Sequence, residues 1–138
     1  MIHFFCPSCW RGILENIVIC PYCNYDLKDF NALSYDDKLI LSLKHPVKEI
    51  RRLVIFVIGL KKLKKALPEL EKMIDHEEDP IILIEIVKAL RQINDKDSKA
   101  ILEKMRSHRF SIISQYIEQI ENPQIKEFYG KTINFNNK

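Results

Sequence analysis

"LVIFVI", residues 53–58, decides the fold: six consecutive apolar residues, four of them β-branched at Val54, Ile55, Val57 and Ile58, suit a buried strand as well as a buried helix segment. The same ambiguity recurs in "IILIEIV", residues 81–87. Self-similarity breaks the tie. "HPVKEIRRLVIFVIGLKKLKKALPELEKMID" (45–75) and "DPIILIEIVKALRQINDKDSKAILEKMRS" (79–107) each run from an X-Pro dipeptide through a long apolar segment and a short polar break. Both then end in a shorter amphipathic segment, with "ALPELEKM" in one and "AILEKM" in the other. Pro46 and Pro80 stand 34 residues apart, within the range of helical solenoid repeats. The apolar runs therefore read as helices, the first expected from about Pro46 to Leu60, because proline suits a first helical turn.

Working outward, Ser34 and Asp37 read as a capping box that opens a helix "YDDKLILSLK", with Leu39, Leu41 and Leu43 among its apolar residues. Downstream, "YIEQIEN" (116–122) echoes "ALRQIND" (89–95) and marks a degenerate third copy, and "KTINFNNK" (131–138) reads as a polar tail. The expected architecture is mainly α: a short solenoid of helical hairpins over 31–130, with copies at about 34–75, 79–107 and 108–129. A helical pair cannot bury its own apolar faces, so neighbours must stack and the two ends of the array need covering. The N-terminal module is expected to pack on the first helix as one cap, and the more polar third copy, with Arg109, Gln115 and Glu118, to close the other end.

This half resembles the short HEAT-like repeats of the phycobilisome-lyase type. In the second copy the match is carried by Asp79, Pro80, Ala89, Leu90, Ile93, Asn94, Asp95, Ala100, Ile101 and Leu102. In the first, Pro46, Ile50, Arg51, Gly59, Ala66, Leu67, Pro68 and Leu70 take the corresponding places. Bulky Leu53, Val54 and Phe56 stand where that family favours small residues, so a wider helix spacing is expected.

All four cysteines lie between residues 6 and 23. Secreted disulfide scaffolds spread their bridges along the chain, so stapling is not the reading here. Cys6-Pro7-Ser8-Cys9 and Cys20-Pro21-Tyr22-Cys23 instead form C-x-x-C, ten intervening residues, C-x-x-C. Two tight turns each offering two sulfurs suit tetrahedral Zn²⁺, and residues 1–30 are read as a small Cys₄ unit whose metal is structural, with iron and thiol redox chemistry ranked below zinc. The pattern resembles the zinc ribbon family, which commonly places glycine after each knuckle. Trp10 and Asn24 hold those places, and since Trp resists a positive φ the first turn is expected at Gly12. Phe4, Phe5, Trp10, Tyr22 and Tyr25 read as the unit's own core or its seat on the helices, ahead of base-stacking platforms.

With 46% hydrophobic and 30% charged residues and a formal charge of +3, the chain reads as a globular protein. No apolar run spans a bilayer and the first residues do not resemble a signal peptide, so a cytoplasmic location and no membrane partner are expected. Phosphate-loop, dinucleotide and H-E-x-x-H motifs are absent from the sequence, and His76-Glu77 reads as an inter-repeat turn, so no catalytic residue and no small-molecule substrate are assigned. His3, His45 and His108 read as surface or capping residues. The remaining feature is charge: Arg51, Arg52, Lys61, Lys62, Lys64 and Lys65 would give one edge a basic character opposite the acidic "DHEED" (75–79). The sequence thus predicts a non-enzymatic scaffold or adaptor that binds another protein. The alternative is nucleic-acid binding through the Cys₄ unit, with Trp10, and the basic turn 61–65.

Overall fold

A computed structural model describes residues 4–122; His3, the end of the third copy and the polar tail lie outside the described residues. Strands β1 (Phe4–Phe5) and β2 (Gly12–Ile13) pair antiparallel, Phe4 opposite Ile13 and Phe5 opposite Gly12. Helices follow as α1 (Leu27–Asn31), α2 (Tyr35–Ser42), α3 (Lys48–Lys61), a single 3₁₀ turn at Lys64–Ala66, α4 (Leu67–His76), α5 (Pro80–Ile93), α6 (Lys96–Met105) and α7 (Ser111–Glu121). Both ambiguous apolar runs are helical, because each contributes to a core that takes one face of a helix: Val54, Ile55 and Ile58 from the first, Ile82, Leu83, Ile86 and Val87 from the second.

The helices form two layers. Helix α5 packs between α3 and α7, α4 packs on α6, and α2 lies against α3. Their shared core includes Ile55, Ile58, Leu70, Ile86, Met105 and Ile113, all fully buried. A second, smaller cluster of Cys6, Ile13 and Cys20 is flanked by Cys9, Ile17, Tyr25 and Leu27. The two clusters have no residue in common, so the helices do not need the cysteine unit to fill their core.

The register of the repeat differs from that set by the prolines. Helix α3 begins at Lys48 with Val47 as N-cap, whereas α5 begins at Pro80 with Asp79 as N-cap. Pro46 therefore lies outside its helix and is not the counterpart of Pro80. The true equivalences are set by hydrogen bonding. His45 Nδ1 accepts the N–H of Val47 at 3.0 Å, Glu77 Oε1 that of Asp79 at 3.1 Å, and His108 Nδ1 that of Phe110 at 3.2 Å. In all three turns a side chain two residues before the N-cap satisfies the N-cap's own N–H, which the helix leaves without a partner. Helices α3 and α5 also end alike, with Lys62 and Asn94 in the left-handed region at φ 51° and 50°. Of the pair His76-Glu77, His76 closes α4 and Glu77 begins the turn, where it also lies 3.7 Å from Arg51.

Two further expectations are corrected. Ser34 Oγ accepts the N–H of Asp37, but the Asp37 carboxylate turns to Lys65 at 2.5 Å; the reciprocal capping box belongs to α6, between Asp95 and Ser98. The helices also do not stand apart at Leu53, Val54 and Phe56. Leu53 and Phe56 face outward, and α3 meets α5 closely at Gly59, where an added Cβ would lie 3.0 Å from Ala89 Cα.

Candidate metal centre

The two C-P-x-C turns are built alike. Trp10 N–H donates to Cys6 O at 2.8 Å and Cys6 N–H to Arg11 O at 2.9 Å; Asn24 N–H donates to Cys20 O at 3.0 Å and Cys20 N–H to Tyr25 O at 2.9 Å. Closing each turn in this way requires a left-handed residue directly after the second cysteine. Trp10 takes φ 59° and Asn24 φ 61°, while Gly12 has no positive φ, so the expected turn at Gly12 is not the one formed. Asn accepts this region readily; for Trp it costs about 1–2 kcal/mol, which contacts of its ring must offset.

The turns bring four sulfurs together. One Sγ from each of Cys6, Cys9, Cys20 and Cys23 lies within 4.8 Å of all the others. Cys6 Sγ is 3.6 Å from Cys23 Sγ, and Cys9 Sγ is 3.8 Å from Cys20 Sγ. A tetrahedron of bonds about 2.3 Å long has edges of about 3.8 Å, so the spacing fits a soft cation bound by four thiolates. These pairs join one turn to the other and are far longer than a disulfide bond of about 2.05 Å. All four cysteines are free, Cys6 and Cys20 being buried and Cys23 exposed.

The thiols differ in their protonation. Burial pushes Cys6 up to about 11 against the backbone N–H groups of Cys9 and Ser8. At Cys20 burial acts upward too, but the N–H groups of Tyr22 and Cys23 outweigh it and hold the thiol at about 7. Tyr22 N–H lies 3.4 Å from Cys20 Sγ. Near neutral pH Cys20 is thus readier to ionise than Cys6, and taking a cation on all four sulfurs would release protons. Such a shell leaves no position for water or substrate.

The aromatic residues divide by role. Phe5 and Trp10 both meet the His45 imidazole edge to face, with ring centroids 4.9 and 5.3 Å away. Tyr25 belongs to the small cysteine core, whereas Tyr22 is exposed beneath Arg11, 5.1 Å from its ring centroid. The cysteine unit therefore touches the array at the α2–α3 turn. It does not cover the outer face of α3, where Leu53, Phe56 and Leu60 remain exposed.

The basic residues are mostly paired. Lys61 binds Asp36, Lys65 binds Asp37, Lys64 approaches Asp95 at 3.7 Å, Arg51 approaches Glu77 and Arg52 approaches Glu85 at 3.4 Å. From the acidic turn, Asp79 binds Lys48 and Glu78 meets Arg109 at 2.9 Å. The expected separation into a basic and an acidic edge is neutralised locally, because stacking brings each turn beside carboxylates or cations of its neighbours. Among the described residues Lys62 is the member of the 61–65 turn without an ion pair. Capping is among the roles the sequence offers for His45 and His108; what sequence reasoning missed is Glu77 in the same role and the equivalence of the three, whose signal is their near-equal spacing, hidden by the change of residue type.

No helix among the described residues is long and apolar enough to cross a membrane. No curated protein and no solved structure gives a significant match to this chain. Residues 37–118 match the family of HEAT repeats. That match spans more than half of the 138 residues, covers the helices from within α2 into α7 and agrees with the two-layer stacking, so the chain belongs to the HEAT-repeat family.

Proposed function

We propose that this protein is a non-enzymatic interaction module: a Cys₄ zinc ribbon over residues 1–30, joined to a short array of phycobilisome-lyase-type repeats over 31–130 that binds another protein in the cytoplasm. The observation that carries the reading is the combination of a HEAT array with a four-sulfur cluster whose edges suit a closed, structural metal shell. HEAT arrays present extended side-chain surfaces suited to protein partners. The metal is zinc, bound by Cys6, Cys9, Cys20 and Cys23, and its work is to hold a unit too small to fold on its own core.

The nucleic-acid reading is the less favoured one because most of its cations already face carboxylates. Fluorescence anisotropy of labelled single- and double-stranded nucleic acid, at low and near-physiological salt, tests the choice. The metal-loaded chain is expected not to bind. Micromolar binding that weakens with salt, and on changing Lys61, Lys62, Lys64 and Lys65 to Gln, would reverse the order. Metal analysis should return one zinc per chain.

A further inference from the structure

Helix α3 opens its layer of the array. Helix α5 covers one flank and α2 packs against α3, but the outer face of α3 carries Ile50, Leu53, Phe56 and Leu60, exposed by 38%, 56%, 46% and 57%. Leu53, Phe56 and Leu60 recur at intervals of three and four and so form one stripe. Beside it runs an open groove of about 410 Å³, lined by Glu49, Arg52, Leu53, Phe56, Glu85 and Lys88. At the equivalent positions of α5, thirty-two residues on, stand Glu85, which is buried beside Arg52, and the exposed Lys88 and Gln92. Its neighbour in the layer is thus polar where α3 is apolar, and solvation alone does not account for the stripe.

We propose that the occupant of this stripe is α3 of a second copy, packed antiparallel about a two-fold axis near Phe56 and Val57. Charge selects this occupant. At the N-terminal end of the stripe stands Glu49 and just beyond its C-terminal end stands Lys62, neither in an ion pair among the described residues. Antiparallel pairing places Leu53 against the partner's Leu60, and brings Glu49 of each copy to the lysine-bearing end of the other. Parallel pairing would oppose like charges. A two-fold contact is also closed, so it covers this face without propagating into a filament.

The test is sedimentation equilibrium of the full metal-loaded chain over a wide concentration range. A reversible dimer is expected. Phe56→Glu should weaken it by about tenfold or more, since an apolar anchor at the centre of a contact dominates its energy. Both this residue and Lys62 are exposed, so the variants are expected to keep the parent's circular dichroism. Glu49→Lys and Lys62→Glu should each weaken the dimer, and the double variant should regain affinity because the exchange restores opposite signs. A monomer throughout, or a dimer indifferent to Phe56→Glu, would overturn the proposal. These outcomes are independent of whether another protein or a nucleic acid binds elsewhere.

Discussion

The indole of Trp10 meets the imidazole of His45 edge to face, 5.3 Å between ring centroids, so one residue held in a left-handed turn by a cysteine knuckle rests on one that caps a helix. His45 sits between the two halves of the molecule, with Phe5 on the same ring and Val47 N–H on its Nδ1. Burial lowers its pKa below the usual 6.5, and the Arg51 charge acts in the same direction. Between 6.5 and the depressed value the unfolded chain binds a proton that the folded chain does not, so the seat weakens as pH falls through that window. Trp10 is the one tryptophan, so its fluorescence should titrate there. His45→Ala should abolish the titration and cost about 1–2 kcal/mol, from the lost ring contacts and cap. An unchanged pH profile in this variant would contradict the assignment.

Metal removal should unfold the N-terminal unit and spare the helices, because the two buried clusters have no residue in common. Chelation, or Cys20→Ser, is expected to change the Trp10 emission while leaving most of the helical circular dichroism in place. Acidification should release the metal as the thiolates protonate. Global loss of helix on chelation would show that the array depends on the metal.

Gly59→Ala tests the closest approach between helices. The new Cβ would lie 2.5 Å from Gln92 Oε1, 3.0 Å from Ala89 Cα and 3.2 Å from Ala89 Cβ. Gln92 can move, but the α5 backbone cannot do so without disturbing Ile86 and Leu90. Overpacking of this kind costs about 1–3 kcal/mol and is expected to exceed the gain of up to about 1 kcal/mol in helix propensity. A urea midpoint at or above that of the parent would refute the close packing.

Acid should destabilise the array through its helix starts. Asp79 is lowered from 3.8 chiefly by its hydrogen bond with Lys48, Asp95 by the N–H of Ser98, and Asp37 by Lys65. A depressed carboxylate stabilises the fold above its unfolded pKa, and that contribution is lost as pH falls through the folded value. Thermal melts should therefore decline below about pH 4. Asp95→Asn, which retains an accepting side-chain oxygen without the charge, should flatten the decline.

The sequence by itself determined that the repeated apolar runs are helical, that the four cysteines come together, and that helices must stack, because each follows from local chemistry: repeated apolar periodicity, C-x-x-C spacing and turn residues. It misled where hydrogen bonds formed within a folded turn, or a distant neighbour, decide. Pro46 mimicked Pro80, but which peptide opens α3 depends on the cap supplied by His45, and that bond appears only once the turn is formed. Trp10 carries a positive φ that local preference opposes, because two knuckle hydrogen bonds require it and His45 receives its ring. The lysines of 61–65 look like a basic edge until stacking sets Asp36, Asp37 and Asp95 beside them. Tertiary structure alone decided the pairing of charges and the bare outer face of α3, since these depend on contacts between residues far apart in the chain.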